Sequence, residues 1–186
     1  MPAIREKAQL MSASEIDRTV VRLAHEVLEK NSALDQLAFI GIRRRGVPLA
    51  QRLARKIEAL EKIAIPVGTL DINLYRDDLS TVDVKPVVNA TDIPFPLPGK
   101  RVILTDDVLY TGRTVRAAMD ALFDKGRPAS IHLLVLIDRG HRELPIEAQF
   151  IGRKVETSDD EIIEVKFREI DGMEKVLLVE RAAEAV

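Results

Sequence analysis

"VILTDDVLYTGRT", Val102–Thr114, carries the reading of the whole chain. Val102, Ile103 and Leu104 are branched apolar residues of the kind that fill a buried strand. Asp106 and Asp107 follow at once, where a quiet strand end has no use for two adjacent carboxylates. Leu109 and Tyr110 then lead into Thr111, Gly112, Arg113 and Thr114, and helical spacing begins at about Arg113 and runs to Lys125. Gly112 therefore sits between a strand and a helix. Backbone amides at a helix N-terminus converge on an anion, and the helix dipole adds to the attraction. Glycine lets the backbone come close, and Thr111, Thr114 and Arg113 add donors. The result is a phosphate cradle, but neither a Walker loop nor a G-x-G-x-x-G turn. The two acids narrow the ligand. Carboxylates accept hydrogen bonds from vicinal hydroxyls and hold Mg²⁺, often through its waters. Phosphate donors beside hydroxyl acceptors describe a ribose 5-phosphate. A capped strand end and a Thr-Gly turn would each explain half of the string, but not both halves together.

Composition sets the surroundings. The 186 residues suit a single domain, 1–186, with a real core. There is no cysteine, which removes disulfides, thiolate metal sites and thiol nucleophiles. His25, His132 and His141 are far apart and lack ligand spacing. A net charge of −2 means that any contact with nucleic acid needs a local basic patch. No run of about 18 apolar residues is present, and the first residues do not read as a signal peptide, so a cytoplasmic protein without membrane contact is expected.

Outward from the central motif, the spacing predicts a helix over 14–31 with Ser14 as N-cap and Asp17 three residues on. It predicts a buried strand over 37–42, a helix over 47–61 and a strand over 67–74. The stretch 75–98 holds four prolines and no period, which marks a functional loop and a candidate lid. Strands are expected at 101–105 and 130–137. In the tail, 161–170 and 175–180 are expected to pair across a hairpin turn at Asp171-Gly172. Helices alternating with apolar strands argue for an α/β fold with a mostly parallel sheet, whose ligands bind beyond the carboxyl ends of the strands.

Val102–Thr114 resembles the phosphoribosyl-diphosphate signature of the type I phosphoribosyltransferases: apolar or small residues, two acids, a short loop, then Thr-Gly-x-Thr. "RLAHEVLEKN" (22–31), "GIRRRGVPLA" (41–50), "DINLYRDDL" (71–79) and "DRGHRELPIEAQFIGRKVETS" (138–158) extend the resemblance over nearly the whole chain. They point to one branch, the bifunctional pyrimidine operon attenuation regulators with uracil phosphoribosyltransferase activity. The resemblance implies a central sheet flanked by helices, a small hood over about 138–160 plus C-terminal strands, and a C-terminal β hairpin. It implies transfer of ribose 5-phosphate from phosphoribosyl diphosphate to uracil, giving UMP, with Mg²⁺ as cofactor held at Asp106 and Asp107. Arg43, Arg44, Arg45 and Gly46 would bind the diphosphate, with Arg76 reaching it from the lid. Leu109–Thr114 would hold the 5-phosphate. Arg139, His141 and Val155 are the candidates near uracil. No residue reads as a general base.

The same resemblance implies binding of pyrimidine-operon leader mRNA in response to UMP or UTP, and a homo-oligomer. The RNA candidates are Arg18, Arg22, His25, Arg142 and Arg153. Two positions depart from the better-known members: Glu147 stands in place of a basic residue, and Val21 in place of a small hydroxyl residue. Glu147 supports the alternative of a uracil salvage enzyme without RNA binding. The intact acids and Thr-Gly pair argue against a regulator that has lost catalysis, and the hood segment argues against a purine substrate.

Overall fold

In the computed structural model, residues 4–73 and 91–181 are described. Strand β1 (Ile4–Met11) leads into helix α1 (Ala13–Lys30). Strand β2 (Leu37–Ile42), helix α2 (Gly46–Glu61) and strand β3 (Val67–Leu70) follow. Strand β4 (Arg101–Leu109), helix α3 (Arg113–Phe123) and strand β5 (Ser130–Asp138) form the second half. Strands β6 (Phe150–Lys154) and β7 (Glu161–Lys166), the short helix α4 (Arg168–Asp171) and strand β8 (Lys175–Arg181) complete the chain.

Five strands make a parallel sheet in the order β3-β2-β4-β5-β6. Both faces are buried, as continuous apolar strands require. Phe39, Ile103, Leu134 and Leu136 point into a core shared with Ile16, Val20, Leu23 and Val27 of α1 and with Leu49, Leu53 and Ile57 of α2. Ile40, Ile42, Leu104, Leu133 and Val135 face the other way, against Val115, Ala118 and Leu122 of α3. Each fully buried aliphatic side chain contributes about 1.5–3 kcal/mol against its exposed state, before the entropy of ordering it.

The connections turn in opposite directions from the middle of the sheet. From β2 the chain passes through α2 to β3 on one side, and from β4 it passes through α3 to β5 on the other. β2 and β4 are neighbours, so a topological switch point lies beyond their carboxyl ends. The Arg43–Gly46 loop and the Leu109–Thr114 loop both start there.

A second, antiparallel sheet has the order β1-β8-β7. The spacing did not signal β1, because Arg5, Glu6 and Lys7 are consecutive charges, Ile4–Gln9 are exposed and only Met11 is buried. Pairing with β8 makes it a strand. The tail also departs from a simple hairpin. Strand β7 stops at Lys166, and Arg168–Asp171 is helical with Gly172 as its left-handed C-cap (φ 69°). The 138–158 segment is divided as well: Phe150–Lys154 joins the edge of the parallel sheet beside β5.

Two boundaries move for local reasons. Ser12, not Ser14, caps α1. Its hydroxyl accepts from the Glu15 amide while the Glu15 carboxylate accepts from the Ser12 amide, both at 3.3 Å. That reciprocal pair needs a Glu three residues after the cap, which Ser14 lacks. Strand β3 ends at Leu70, because the Asp71 amide donates to the Thr91 hydroxyl and the Asp71 carboxylate takes the Asn73 amide. The returning chain is fastened here too. Thr69 and Asp92 exchange both backbone hydrogen bonds, at 2.7 and 2.9 Å. Arg76 and 75–90 of the expected lid lie outside the described residues. No helix among the described residues is long and apolar enough to cross a membrane.

Candidate active site

The site begins with the end of β4. Asp106 is 7% exposed, and its Oδ1 accepts the Asp107 amide at 2.9 Å. Asp107 is half-buried. Burial pushes its carboxyl above the usual range, opposed by hydrogen bonds with Asp106 and the Val108 amide and by the charge of Arg45. The two sequence-predicted acids thus differ: Asp106 takes the next backbone amide, and Asp107 is half-buried at the switch point.

Past Leu109 the chain turns. Gly112 is the N-cap of α3, at φ 93°. A Cβ there would touch Leu144 and Ile146 at 3.4 Å, and the left-handed backbone favours glycine in any case. The Thr111 hydroxyl accepts from the Arg113 amide at 3.3 Å. Residues Val108–Val115, joined by Glu143, line a cleft of about 330 Å³. The structure places the motif as an open cleft at a helix N-terminus, with two carboxylates before it. The Arg113 side chain turns to Glu143, Nε to Oε2 2.8 Å.

The second loop starts from β2. The Arg43 amide donates to the Leu70 carbonyl at 3.0 Å, and the Arg43 and Arg44 side chains are exposed. Arg45 is paired within the chain. Its guanidinium grips Asp171 of α4, with Nη2 to Oδ1 2.7 Å and Nε to Oδ2 3.3 Å. Burial alone would raise the Asp171 carboxyl, but Arg45 and the Phe167 amide outweigh it and hold it below its ordinary value. Gly46 begins α2 with its Cα against β4. A Cβ there would lie 2.3 Å from the Thr105 carbonyl oxygen, a distance no side chain tolerates. The glycine thus brings the arginine loop down beside Asp106. Arg52, one helical turn and a half later, ties α2 to Glu169 and Glu174 and lies over the Phe167 ring.

The residues expected near the base gather beside the cradle in part. Arg139 is 5% exposed and lies 3.9 Å over the Tyr110 ring. It donates to the Thr157 hydroxyl and the Ser158 carbonyl. His141 stands edge-on to Tyr110, with Nε2 2.5 Å from the Thr157 carbonyl and Nδ1 3.1 Å from Asp159. Val155 differs: its amide donates to the Asp138 carbonyl, while its partly buried side chain packs against the core.

The RNA candidates separate into two places. Arg18, Arg22 and Arg153 line one groove of about 350 Å³ with Met11, Glu15, Thr19 and Gly152. Arg22 pairs with Glu26 at 2.5 Å and donates to the Gly152 carbonyl, and Arg153 donates to the Leu10 carbonyl. His25 is exposed one turn along α1 from Arg22. Glu147 is exposed but is not among the residues lining that groove. Arg142 is elsewhere, bonded to Asp138, Tyr110 and Ile146 behind the cradle. Sequence reasoning missed Asp138, Glu143 and Asp171. The signal for Asp138 was present in the acid that ends an apolar strand; Asp171 gave none, since its partner is 126 positions away.

Among the described residues no cluster of three or more His, Cys, Asp or Glu could hold a metal by itself. Asp106 and Asp107 supply hard oxygen ligands, a set that suits Mg²⁺ completed by substrate oxygens and water.

The matching family model is the phosphoribosyl transferase domain, over residues 8–169. The bifunctional protein PyrR of Pelotomaculum thermopropionicum is 56% identical over 178 residues, covering 96% of this chain and 98% of that one. Its counterpart in Thermus thermophilus is 55% identical with the same coverage. Among solved structures, a hypoxanthine-guanine phosphoribosyltransferase from Bacillus anthracis superposes with a TM-score of 0.70 at 20% identity, covering 94% of this chain and 99% of that one. A Trypanosoma cruzi hypoxanthine phosphoribosyltransferase does so at 0.71 and 15%, covering 95% and 98%. These two bear on the fold alone. With a family model spanning most of its length and relatives above half identity end to end, the chain belongs to the phosphoribosyl transferase domain family, in its bifunctional PyrR branch.

Proposed function

We propose that the protein transfers ribose 5-phosphate from phosphoribosyl diphosphate to uracil, releasing UMP and diphosphate, and that with a uridine nucleotide bound it binds pyrimidine-operon leader mRNA and promotes termination. One observation carries the catalytic half: an anion cradle at the N-terminus of α3, preceded by two carboxylates, at the switch point between β2 and β4.

The chemistry follows from those parts. The amides of Thr111–Thr114 and the two threonine hydroxyls receive the 5-phosphate. Asp106 and Asp107 accept hydrogen bonds from the ribose hydroxyls and orient the ring, which becomes cation-like as the bond to diphosphate breaks. Negative charge then grows on the leaving diphosphate, and donors already aimed at it lower the barrier without reorganising. The exposed Arg43 and Arg44 and the backbone of their loop serve that purpose, with Arg76 as the lid's contribution. Mg²⁺, when bound, supplies further neutralisation of the diphosphate. Arg139 and His141, against Tyr110, border the base.

The regulatory half rests on the groove that gathers Arg18, Arg22 and Arg153. Three guanidinium groups on one concave face suit phosphates of a folded RNA. Glu147 keeps a second reading alive, a salvage enzyme without RNA binding. The deciding experiment measures UMP formation from uracil and phosphoribosyl diphosphate, and leader-RNA affinity with and without UMP at two salt concentrations. UMP formation with tight, UMP-enhanced and salt-sensitive RNA binding is expected. UMP formation without specific RNA binding would leave the salvage enzyme, and no UMP formation would sink the catalytic half.

A further inference from the structure

Arg142 has the most fully committed guanidinium in the site. Such a group has five N–H donors. Here Nε donates to the Ile146 carbonyl at 2.9 Å. Nη1 donates to the Tyr110 carbonyl at 2.7 Å and approaches the Gly140 carbonyl at 3.4 Å. Nη2 donates to both Asp138 carboxylate oxygens at 2.8 Å. Asp138, at the end of β5, is 8% exposed. No donor of Arg142 is left over for an RNA phosphate. Arg22, by contrast, holds Glu26 and the Ile151 and Gly152 carbonyls through Nη1 and Nη2.

The Tyr110 carbonyl is the informative partner. A trans peptide points its C=O and its N–H in opposite directions. Arg142 holds the Tyr110 carbonyl, which sets the Thr111 amide facing away from Arg142. The Glu143 and Leu144 amides hold the Thr111 carbonyl at 2.9 and 3.2 Å, and that sets the Gly112 amide in the same way. Thr111 and Gly112 amides belong to the phosphate cradle. The segment 138–146 is therefore a back support that aims the cradle's donors.

We propose that Arg142 is a positioning residue for the phosphate-binding amides, and that it affects RNA only through nucleotide occupancy of that loop. The inference rests on the functional reading above and adds a role for one residue. Arg142 couples the two activities from behind the nucleotide, without touching the nucleic acid. Loss of its fork leaves the Tyr110 peptide free to rotate, so nucleotide affinity falls before any RNA contact is altered.

Two variants test it. Arg142→Lys keeps the charge beside Asp138 but loses the fork. The double variant Asp138→Asn/Arg142→Gln removes the buried charge together with its partner, so the fold is not left with an unpaired carboxylate. Each is assayed for KM of phosphoribosyl diphosphate, kcat, Kd of UMP, and leader-RNA affinity over a salt series. Both should raise KM and the UMP Kd about five- to tenfold, the loss of one oriented hydrogen bond, with a smaller change in kcat. RNA affinity should fall at low UMP, return to the wild-type value at saturating UMP, and keep its salt slope. Wild-type KM and UMP Kd with weaker RNA binding and a shallower salt slope would overturn the proposal and make Arg142 a direct RNA ligand. Wild-type nucleotide affinity in the double variant would also overturn it, reducing Arg142 to a counter-ion for Asp138. A wild-type protein that binds neither phosphoribosyl diphosphate nor UMP would instead remove the functional reading beneath it.

Discussion

The two loops at the switch point are built by different means. The Leu109–Thr114 loop is held from behind by hydrogen bonds to its carbonyls, from the Glu143 and Leu144 amides and from Arg142. The Arg43–Gly46 loop is held at its start by the Arg43 amide on the Leu70 carbonyl, at its side by the ion pair of Arg45 with Asp171, and at its end by close contact of Gly46 with Thr105. A 5-phosphate anchor gains from donors fixed before the ligand arrives. A loop that follows a leaving diphosphate gains from exposed cations, and in the proposed function Arg43 and Arg44, both exposed, take that part. The contrast is one of backbone geometry against charge, and substitutions can test it.

The largest effect is expected at the acids between the loops. Asp107→Asn should reduce UMP formation by about 10²–10³-fold while far-UV circular dichroism and Tm stay near wild type. Wild-type turnover would remove Asp107 from the ribose site. Next come the two glycines, which contrast steric and conformational demand. Gly46→Ala drives a Cβ into the Thr105 carbonyl, for which backbone must move, and should cost about 1–3 kcal/mol. Gly112→Ala meets only ordinary contacts and bears mainly the left-handed strain, about 1–2 kcal/mol. Chemical denaturation of both variants checks the order, and a larger loss at Gly112 would reverse the assignment of roles.

A smaller effect is expected at the ion pair. Asp171→Asn should lower stability by about 1 kcal/mol and loosen the arginine loop, raising KM for phosphoribosyl diphosphate only a few-fold. Because the folded Asp171 carboxyl lies below its ordinary value, its contribution is present above the unfolded value near pH 4. It is lost as pH falls through the lower folded value. The gap in Tm between wild type and variant should therefore be full at pH 7 and close below about pH 4. A gap that widens on acidification would contradict the pairing. The smallest change is expected in the groove lined by Arg18, Arg22 and Arg153. Arg18→Ala should weaken leader-RNA binding modestly and reduce the salt slope by about one unit or less, read by titration across a salt series. An unchanged slope would take Arg18 off the RNA face.

Much of this was legible before any tertiary information. The acid pair and the Thr-Gly turn could be read because each member acts within a few residues of the others, through local backbone geometry and residue chemistry. The parallel strands were readable because burial on both faces leaves continuous apolar runs. Strand β1 was not, since its residues are largely exposed and only the β8 edge makes them a strand. Ser14 was read as the cap because it precedes a run of suitable spacing, whereas the reciprocal Ser12–Glu15 bonds select the earlier residue.

Arginine is where sequence reading fell short. Arg142 and Arg153 look alike in a row of letters, and so do Arg43 and Arg45. Arg43 is exposed while Arg45 is bound to Asp171, and Arg153 lines an open groove while Arg142 is enclosed by Asp138 and three carbonyls. By itself, the sequence determined the chemistry on offer: a glycine turn at a helix N-terminus, two acids, a cationic turn and the α/β order that joins them. Tertiary structure alone decided which cations stay exposed and which hold the loops. Their partners lie up to 126 residues away, and such long-range hydrogen bonds leave no periodic trace in the chain.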